Sequence, residues 1–218
     1  MNFNILNIMN NYYIYSFSFI LIGILSLACS TKNVINPTTE TITLKEKHAV
    51  SFSVDMDGPI DKENIKYLNY FEVADQWKLI CNCDTTIQKK IITVPTSSGK
   101  SKSYQPWALA KCNHEGQAFE LFLYLQVPHS NNPLYKNDYF IPFKDATNGE
   151  TTYGGGRYIN GKIYEVIDGK VTLDFNQAYN PYCAYSTGYN CPIPPRENHL
   201  EIAINAGEKA YNGPIKKK

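Results

Sequence analysis

Between residues 77 and 204 the sequence falls into eight short segments rich in aromatic and β-branched residues, each closed off by Gly, Asn, Asp or Pro: 77–83, 91–95, 107–114, 119–127, 139–143, 158–164, 171–175 and 200–204. Segments of that length, too short for helices and separated by turn formers, suit an antiparallel sheet that closes or folds over on itself. The strand–helix–strand rhythm of a parallel nucleotide-binding sheet is missing. The chain is therefore expected to be mainly β, a single domain over residues 48–212 built as an antiparallel barrel or sandwich. Tyrosine supports this reading: 17 of the 218 residues are Tyr, and aromatic side chains fit the pleated, half-buried surface of a sheet. The alternation of apolar and polar residues over 49–54 reads as a further extended piece. Asp57-Gly58-Pro59 marks a turn, and 60–71 reads as a short helix beginning near Asp61.

The N-terminus carries an address. Residues 1–28 contain no charged side chain, and 14–28 form an apolar run ending in Leu25-Ser26-Leu27-Ala28-Cys29. The run has the length of a secretory hydrophobic region and is short for a membrane-spanning helix, which needs about 20 apolar residues. A small residue directly before cysteine resembles a bacterial lipobox, so 1–28 is expected to be a lipoprotein signal peptide and Cys29 the lipidated residue. Residues 29–47 are Thr-, Asn- and Lys-rich and read as a tether. No acidic run follows Cys29, so a periplasm-facing position in the cell envelope is expected rather than the cell surface. Residues 213–218, ending in Lys216-Lys217-Lys218, read as a solvated tail.

Charge and cysteine usage narrow the field further. With 21 Lys+Arg against 20 Asp+Glu the net charge is +1, which excludes a basic nucleic-acid footprint. Six cysteines suit an oxidising envelope compartment. Cys183 and Cys191 lie in a loop dense in Asn, Pro, Gly and Tyr and are expected to form a disulfide that pins it, worth about 2–3 kcal/mol for so short a loop. Cys81, Cys83 and Cys112 have three readings: core-facing thiols, one bridge using Cys112, or, with His114, a tetrahedral zinc set, since ligands at i and i+2 share one side of a strand. The first is preferred, and no metal or cofactor is expected.

The stretch 139–209 is the most informative. It contains a Phe-x-Asp-x-Thr segment ending at Thr147, the turn Tyr153-Gly154-Gly155-Gly156-Arg157-Tyr158, the strand end Leu173-Asp174-Phe175-Asn176, and the loop Asn180-Pro181-Tyr182-Cys183 through Cys191-Pro192-Ile193-Pro194-Pro195, followed by Ala206-Gly207-Glu208-Lys209. In this combination it resembles the bacterial and archaeal domain of unknown function 1684 family. The resemblance implies a single domain, often exported or lipid-anchored, and carries no activity.

Arg157 is the foremost candidate for holding an acidic group, because its planar fork binds carboxylate or phosphate bidentately. An internal partner, Asp174 or Glu197, is the alternative. The triple glycine reads as a hairpin or bulge and not as a phosphate loop, since no Lys-Ser/Thr follows it. The expected ligand-facing set is Asp145, Tyr153, Arg157, Asp174, Asn176, Asn180, Glu197 and Asn198. Tyr158, Tyr179, Tyr182, Tyr185 and Tyr189, with Asn190, add flat faces and amides that suit a sugar or another small polar ligand. The same composition suits an inward-packed loop or an envelope partner. Asp145 and Glu197 as an acid/base pair of a hydrolase form the enzymatic alternative; Gly-x-Ser-x-Gly and His-Glu-x-x-His are both missing.

Overall fold

The structure, a computed structural model, describes residues 46–52, 58–128 and 131–218. The apolar run, Cys29 and most of the tether lie outside the described residues. Seven strands make one antiparallel sheet: β1 (Lys78–Asp84), β2 (Ile92–Pro95), β3 (Ser101–His114), β4 (Gln117–Val127), β5 (Asp138–Phe143), β6 (Arg157–Lys162) and β7 (Lys170–Asp174). Their order is β6-β5-β4-β3-β1-β7, with β2 paired to β3. The sheet curls into a half-barrel, so the expected mainly β, antiparallel architecture holds.

β3 organises the curl. Along one side it pairs β4 over its whole length; along the other its first half meets β2 and its second half meets β1. A register shift between Pro106 and Ala108 inserts Trp107 as a bulge where the partner changes, bending the strand at that point. The β3–β4 hairpin turns on Glu115 and Gly116, both at positive φ, which is the twist a two-residue connection needs.

Period-2 alternation sorts side chains to two faces. The concave face collects Leu79, Cys81, Leu121, Leu123, Ile141, Phe143, Ile159 and Leu173 in the main core, closed by Phe175, Ile204 and Ala206 from the C-terminal segment. The other face carries Val94, Tyr104 and Tyr124, with Phe122 and Phe140 packed against them. A third cluster joins Phe52, Ile60, Leu68 and Tyr70 to Ala184 and Tyr185 of the long loop. Cys81 and Cys112 stand opposite each other across β1 and β3, Cα–Cα 4.5 Å, and are bridged; that separation is the non-hydrogen-bonded pair of an antiparallel ladder. Cys83 is a buried free thiol. One bridge using Cys112 is thus the reading of the three that obtains. Cys183 and Cys191 are bridged as expected.

Several expectations differ in detail. Residues 46–52 are helical, not extended. The helix read at 60–71 is a 3-10 turn, Lys62–Tyr67, with no buried residue to hold an α-helical face. β3 begins six residues before the expected 107. Residues 200–204 are not a strand, although they run beside residues 144–146: the Leu200 N–H donates to the Lys144 carbonyl and the Ala146 N–H to that of Ile202. From Ile204 onward the carbonyls of residues 204, 206 and 208 go to a side chain, as described below, while Gly207 and Glu208 bond the backbone of Phe71 and Ala178. The lysine tail is also held. Lys216 pairs with Asp61 at 2.9 Å, and its N–H donates to the Tyr185 carbonyl.

Candidate functional site

Arg157 is the first residue of β6, and its side chain points into the main core with no exposed surface. Only Gly precedes it comfortably. Gly156 has φ 90°, and a Cβ there would lie 2.6 Å from the Phe143 carbonyl oxygen, so any side chain collides with backbone. The Arg157 Nη2 donates to Asp145 Oδ2 at 2.9 Å and to the Ile204 carbonyl at 2.9 Å; Nη1 donates to the carbonyls of Ala206 and Glu208. Carbonyls at 204, 206 and 208 face one side of an extended segment, and the guanidinium gathers all three. Asp145 Oδ1 accepts the Thr147 N–H and hydroxyl and the Ile204 N–H. The pair therefore occupies the place of a missing strand along 204–208. The segment expected as a strand at 200–204 therefore passes from backbone partners at residues 144–146 to side-chain partners at Ile204. Burial draws the guanidinium's pKa down, and Asp145 opposes it.

A second buried acid sits beside this pair. Glu208 accepts the Asn180 N–H at 2.8 Å and the Tyr185 hydroxyl at 2.6 Å. Burial pushes its pKa up to about 7 against those bonds and the nearby Arg157.

The other expected residues are distributed rather than gathered. Asp174 accepts from the Asn176 N–H and side-chain amide, and Asn176 completes a two-way bond with the Ala74 backbone. Asn180 donates to the Lys209 carbonyl. The Tyr153 hydroxyl donates to the Cys183 carbonyl at 3.4 Å. Asn198, fully buried, accepts the Phe122 N–H and donates to the carbonyls of Phe122 and Pro142. It thereby splices β4 to β5 where the two strands pair directly only at Tyr124↔Phe140. Glu197 is exposed on the turn Arg196–Asn198, beside a shallow depression lined by Ile193, Pro194 and His199. Arg157 thus has an internal partner, as one reading foresaw, but the partner is Asp145 and not Asp174 or Glu197. Asp145 and Glu197 do not share a cleft. Two of the three thiols of a zinc set are spent in the Cys81–Cys112 bridge, and His114 stacks on Trp77 at 3.9 Å.

The open site lies on the other face of the sheet. Pinned by its disulfide and by Tyr158, whose hydroxyl donates to the Pro192 carbonyl at 2.6 Å, the 179–192 loop stands over β3, β5 and β6. Between loop and sheet runs a groove of about 800 Å³. Tyr104, Phe140 and Tyr158 line it from the strands, Tyr179, Tyr182 and Tyr189 from the loop, and Gln126, Asn160 and Asn190 supply amides. Tyr104, Phe140, Tyr158 and Tyr179 form a continuous chain of rings with centroid separations of 5.6, 4.7 and 5.7 Å, the last two nearly edge to face. Burial raises the pKa of Tyr104 and Tyr158, and that of Tyr179 to about 12. The phenols therefore stay neutral and can both donate and accept. At the rim Lys162 pairs with Asp138 at 2.5 Å, and its N–H donates to Glu165 at 2.8 Å.

Loop tyrosines and Asn190 were legible as candidates; Tyr104, Phe140 and Asn160 were not. Their signal was present in β6, where Tyr158 and Asn160 occupy outward positions alternating with inward Arg157 and Ile159.

A family model described as a protein of unknown function (DUF1684) matches residues 63–209. The chain belongs to that family. In DUF1684 terms, the match takes in all seven strands, the Arg157–Asp145 pair and the loop that covers the groove. The chain is similar to an uncharacterised protein of Haloarcula marismortui solved by solution NMR, with 30% identity and a TM-score of 0.59 over 79% of this chain and 93% of that one. No curated protein matches the chain.

Proposed function

We propose that this protein binds a small polar ligand in the tyrosine-lined groove and is held at the bacterial envelope by a lipid on Cys29, facing the periplasm. The observation that carries the binding reading is the groove itself: about 800 Å³, within the size range of small-molecule sites, with apolar ring surface and a few converging amides. Its loop side is built from the Asn-Pro-Tyr-Cys to Cys-Pro motif, and its sheet side includes the strand that follows the triple glycine. Arg157 and Asp145 serve the fold rather than the ligand, and the cations at the groove are Lys102 and Lys162.

A thermal-shift screen of sugars, phosphates and carboxylates tests this. A ligand at 100 times its Kd adds about 2.7 kcal/mol, which for a domain of this size raises Tm by roughly 5–10 °C. A screen in which no compound moves Tm counts against the groove. The anchor is supported by the uncharged apolar run ending in Leu-Ala-Cys. Cys29→Ser should leave the full-length chain unlipidated by mass spectrometry; an unchanged mass shift for lipid in that variant overturns the anchor. Among the described residues no helix is long and apolar enough to cross a membrane.

A further inference from the structure

Resting on that groove reading, we infer that the ligand class is a neutral saccharide more than one ring long. Three observations converge. First, the charges at the groove cancel: Lys102 and Lys162 against Asp138 and Glu165, with Lys162 and Asp138 already joined at 2.5 Å and a Glu165 oxygen taken by the Lys162 N–H. Only Lys102 stands outside these pairings, so the groove offers a strongly anionic or cationic ligand little net opposite charge.

Second, several rings keep accessible surface along the groove. A pyranose has an apolar C–H face and a rim of hydroxyls, so it lies flat on an aromatic ring while its rim stays free to hydrogen-bond. Phe140, Tyr179 and Tyr189 are half-buried and Tyr182 is exposed, so accessible ring surface lies on both the sheet side and the loop side, with buried Tyr104 and Tyr158 beneath it, and about 800 Å³ is more room than one sugar fills.

Third, the polar groups stand around the groove and not along one edge. Gln126 belongs to β4, Asn160 to β6 and Asn190 to the loop. A flat heterocycle hydrogen-bonds only within its own plane; a sugar has hydroxyls on every side. Two of these amides are fixed in place. The Asn160 Nδ2 donates to the Tyr179 hydroxyl at 2.7 Å, and the Ser98 hydroxyl donates to Asn190 Oδ1 at 2.7 Å. Such anchoring fixes which side of each amide faces a ligand and removes the entropy of ordering it on binding.

The test is NMR titration and calorimetry of the described domain, residues 46–218, or of the full chain in detergent, with maltotriose, cellotriose and chitotriose. Glucuronate, inorganic phosphate and adenosine serve as the charged and heterocyclic comparisons. The inference expects at least one neutral trisaccharide to bind, with shifts at the Tyr158 and Tyr179 rings. Asn160→Ala and Tyr179→Phe should each weaken binding about tenfold, while Tm moves by no more than about 2 °C because Asn160 is exposed and the Tyr179 ring is kept. Binding of phosphate, glucuronate or adenosine in place of the sugars, with the same variants sensitive, overturns the saccharide and leaves the groove reading standing. Sugar binding indifferent to both variants, or no binding by any of the six, overturns both.

Discussion

Asn198→Ala is the substitution whose cost follows most directly from the geometry. The side chain is fully buried and makes three bonds to backbone: it accepts the Phe122 N–H at 2.8 Å and donates to the Phe122 carbonyl at 3.0 Å and the Pro142 carbonyl at 2.9 Å. Truncation leaves one donor and two acceptors without partners at the place where β4 and β5 do not pair directly. Each orphaned buried group costs about 1–3 kcal/mol, so the three together cost about 3–9 kcal/mol before relaxation. One water entering the vacated space would recover part of it, so the expected loss is about 3 kcal/mol. With a urea m-value near 2 kcal/mol/M, the unfolding midpoint falls by about 1.5 M. Asn198→Asp sharpens the test. It keeps the acceptor for Phe122 N–H but replaces the donor by a carboxylate oxygen facing two carbonyls, so it should cost at least as much as Ala at pH 7.5 and recover at acid pH, where a protonated carboxyl can donate. Asn82→Ala, on an exposed position of β1, should stay within about 0.5 kcal/mol of the parent. An Asn198→Ala loss under about 1 kcal/mol, or an Asn198→Asp variant whose deficit ignores pH, would show that the splice carries little of the stability.

Arg157→Met removes the cation of a fully buried pair and frees three carbonyls, with an expected loss of about 3–5 kcal/mol by urea unfolding; a loss below 1 kcal/mol refutes the strand-substituting role. Replacing both Cys183 and Cys191 by Ser opens a loop of sequence separation 8 and should lower stability by about 2.5 kcal/mol, while reduced affinity for any groove ligand accompanies it; a variant with native Tm and binding removes the staple from the account. Glu208 predicts a pH profile. Its folded pKa, raised to about 7 from an ordinary 4.5, means the folded state holds the proton more tightly. That stability is full below about pH 4.5, falls as pH rises toward 7 and is gone above it, a change of about 3 kcal/mol in order of magnitude. The difference in unfolding free energy between the parent and Glu208→Gln should therefore drift against the parent over that window, and a flat difference contradicts the burial argument.

Much of the fold was legible in the chain because period-2 alternation and turn chemistry are local. The segments at 77–83, 91–95, 119–127, 139–143 and 171–175 land on strands, and the two loop cysteines meet. The failures are equally physical. Nothing local distinguishes 200–204 from a strand: Leu200 and Ile202 bond the backbone of residues 144–146, but at Ile204 the partners become the side chains of Arg157 and Asp145. Arg157 reads as a ligand anchor because a fully buried guanidinium is rare, and only tertiary structure reveals three carbonyls aligned to receive it. Asn198 looks like a loop amide until β4 and β5 are seen to need one. The tyrosine groove was half visible: the loop rings announce themselves, whereas the strand rings depend on which face of β5 and β6 points outward.

The grip of Arg157 on the carbonyls of residues 204–208 also has a temporal side. A chain emerging from the ribosome reaches β6 some fifty residues before it supplies those oxygens, and until then the guanidinium at the centre of the nascent sheet has Asp145 but none of the three carbonyls to receive its protons. The interior can close fully only once residues 204–208 have arrived. Closure of the core is thereby tied to a segment about fifty residues downstream of the strand that carries the guanidinium.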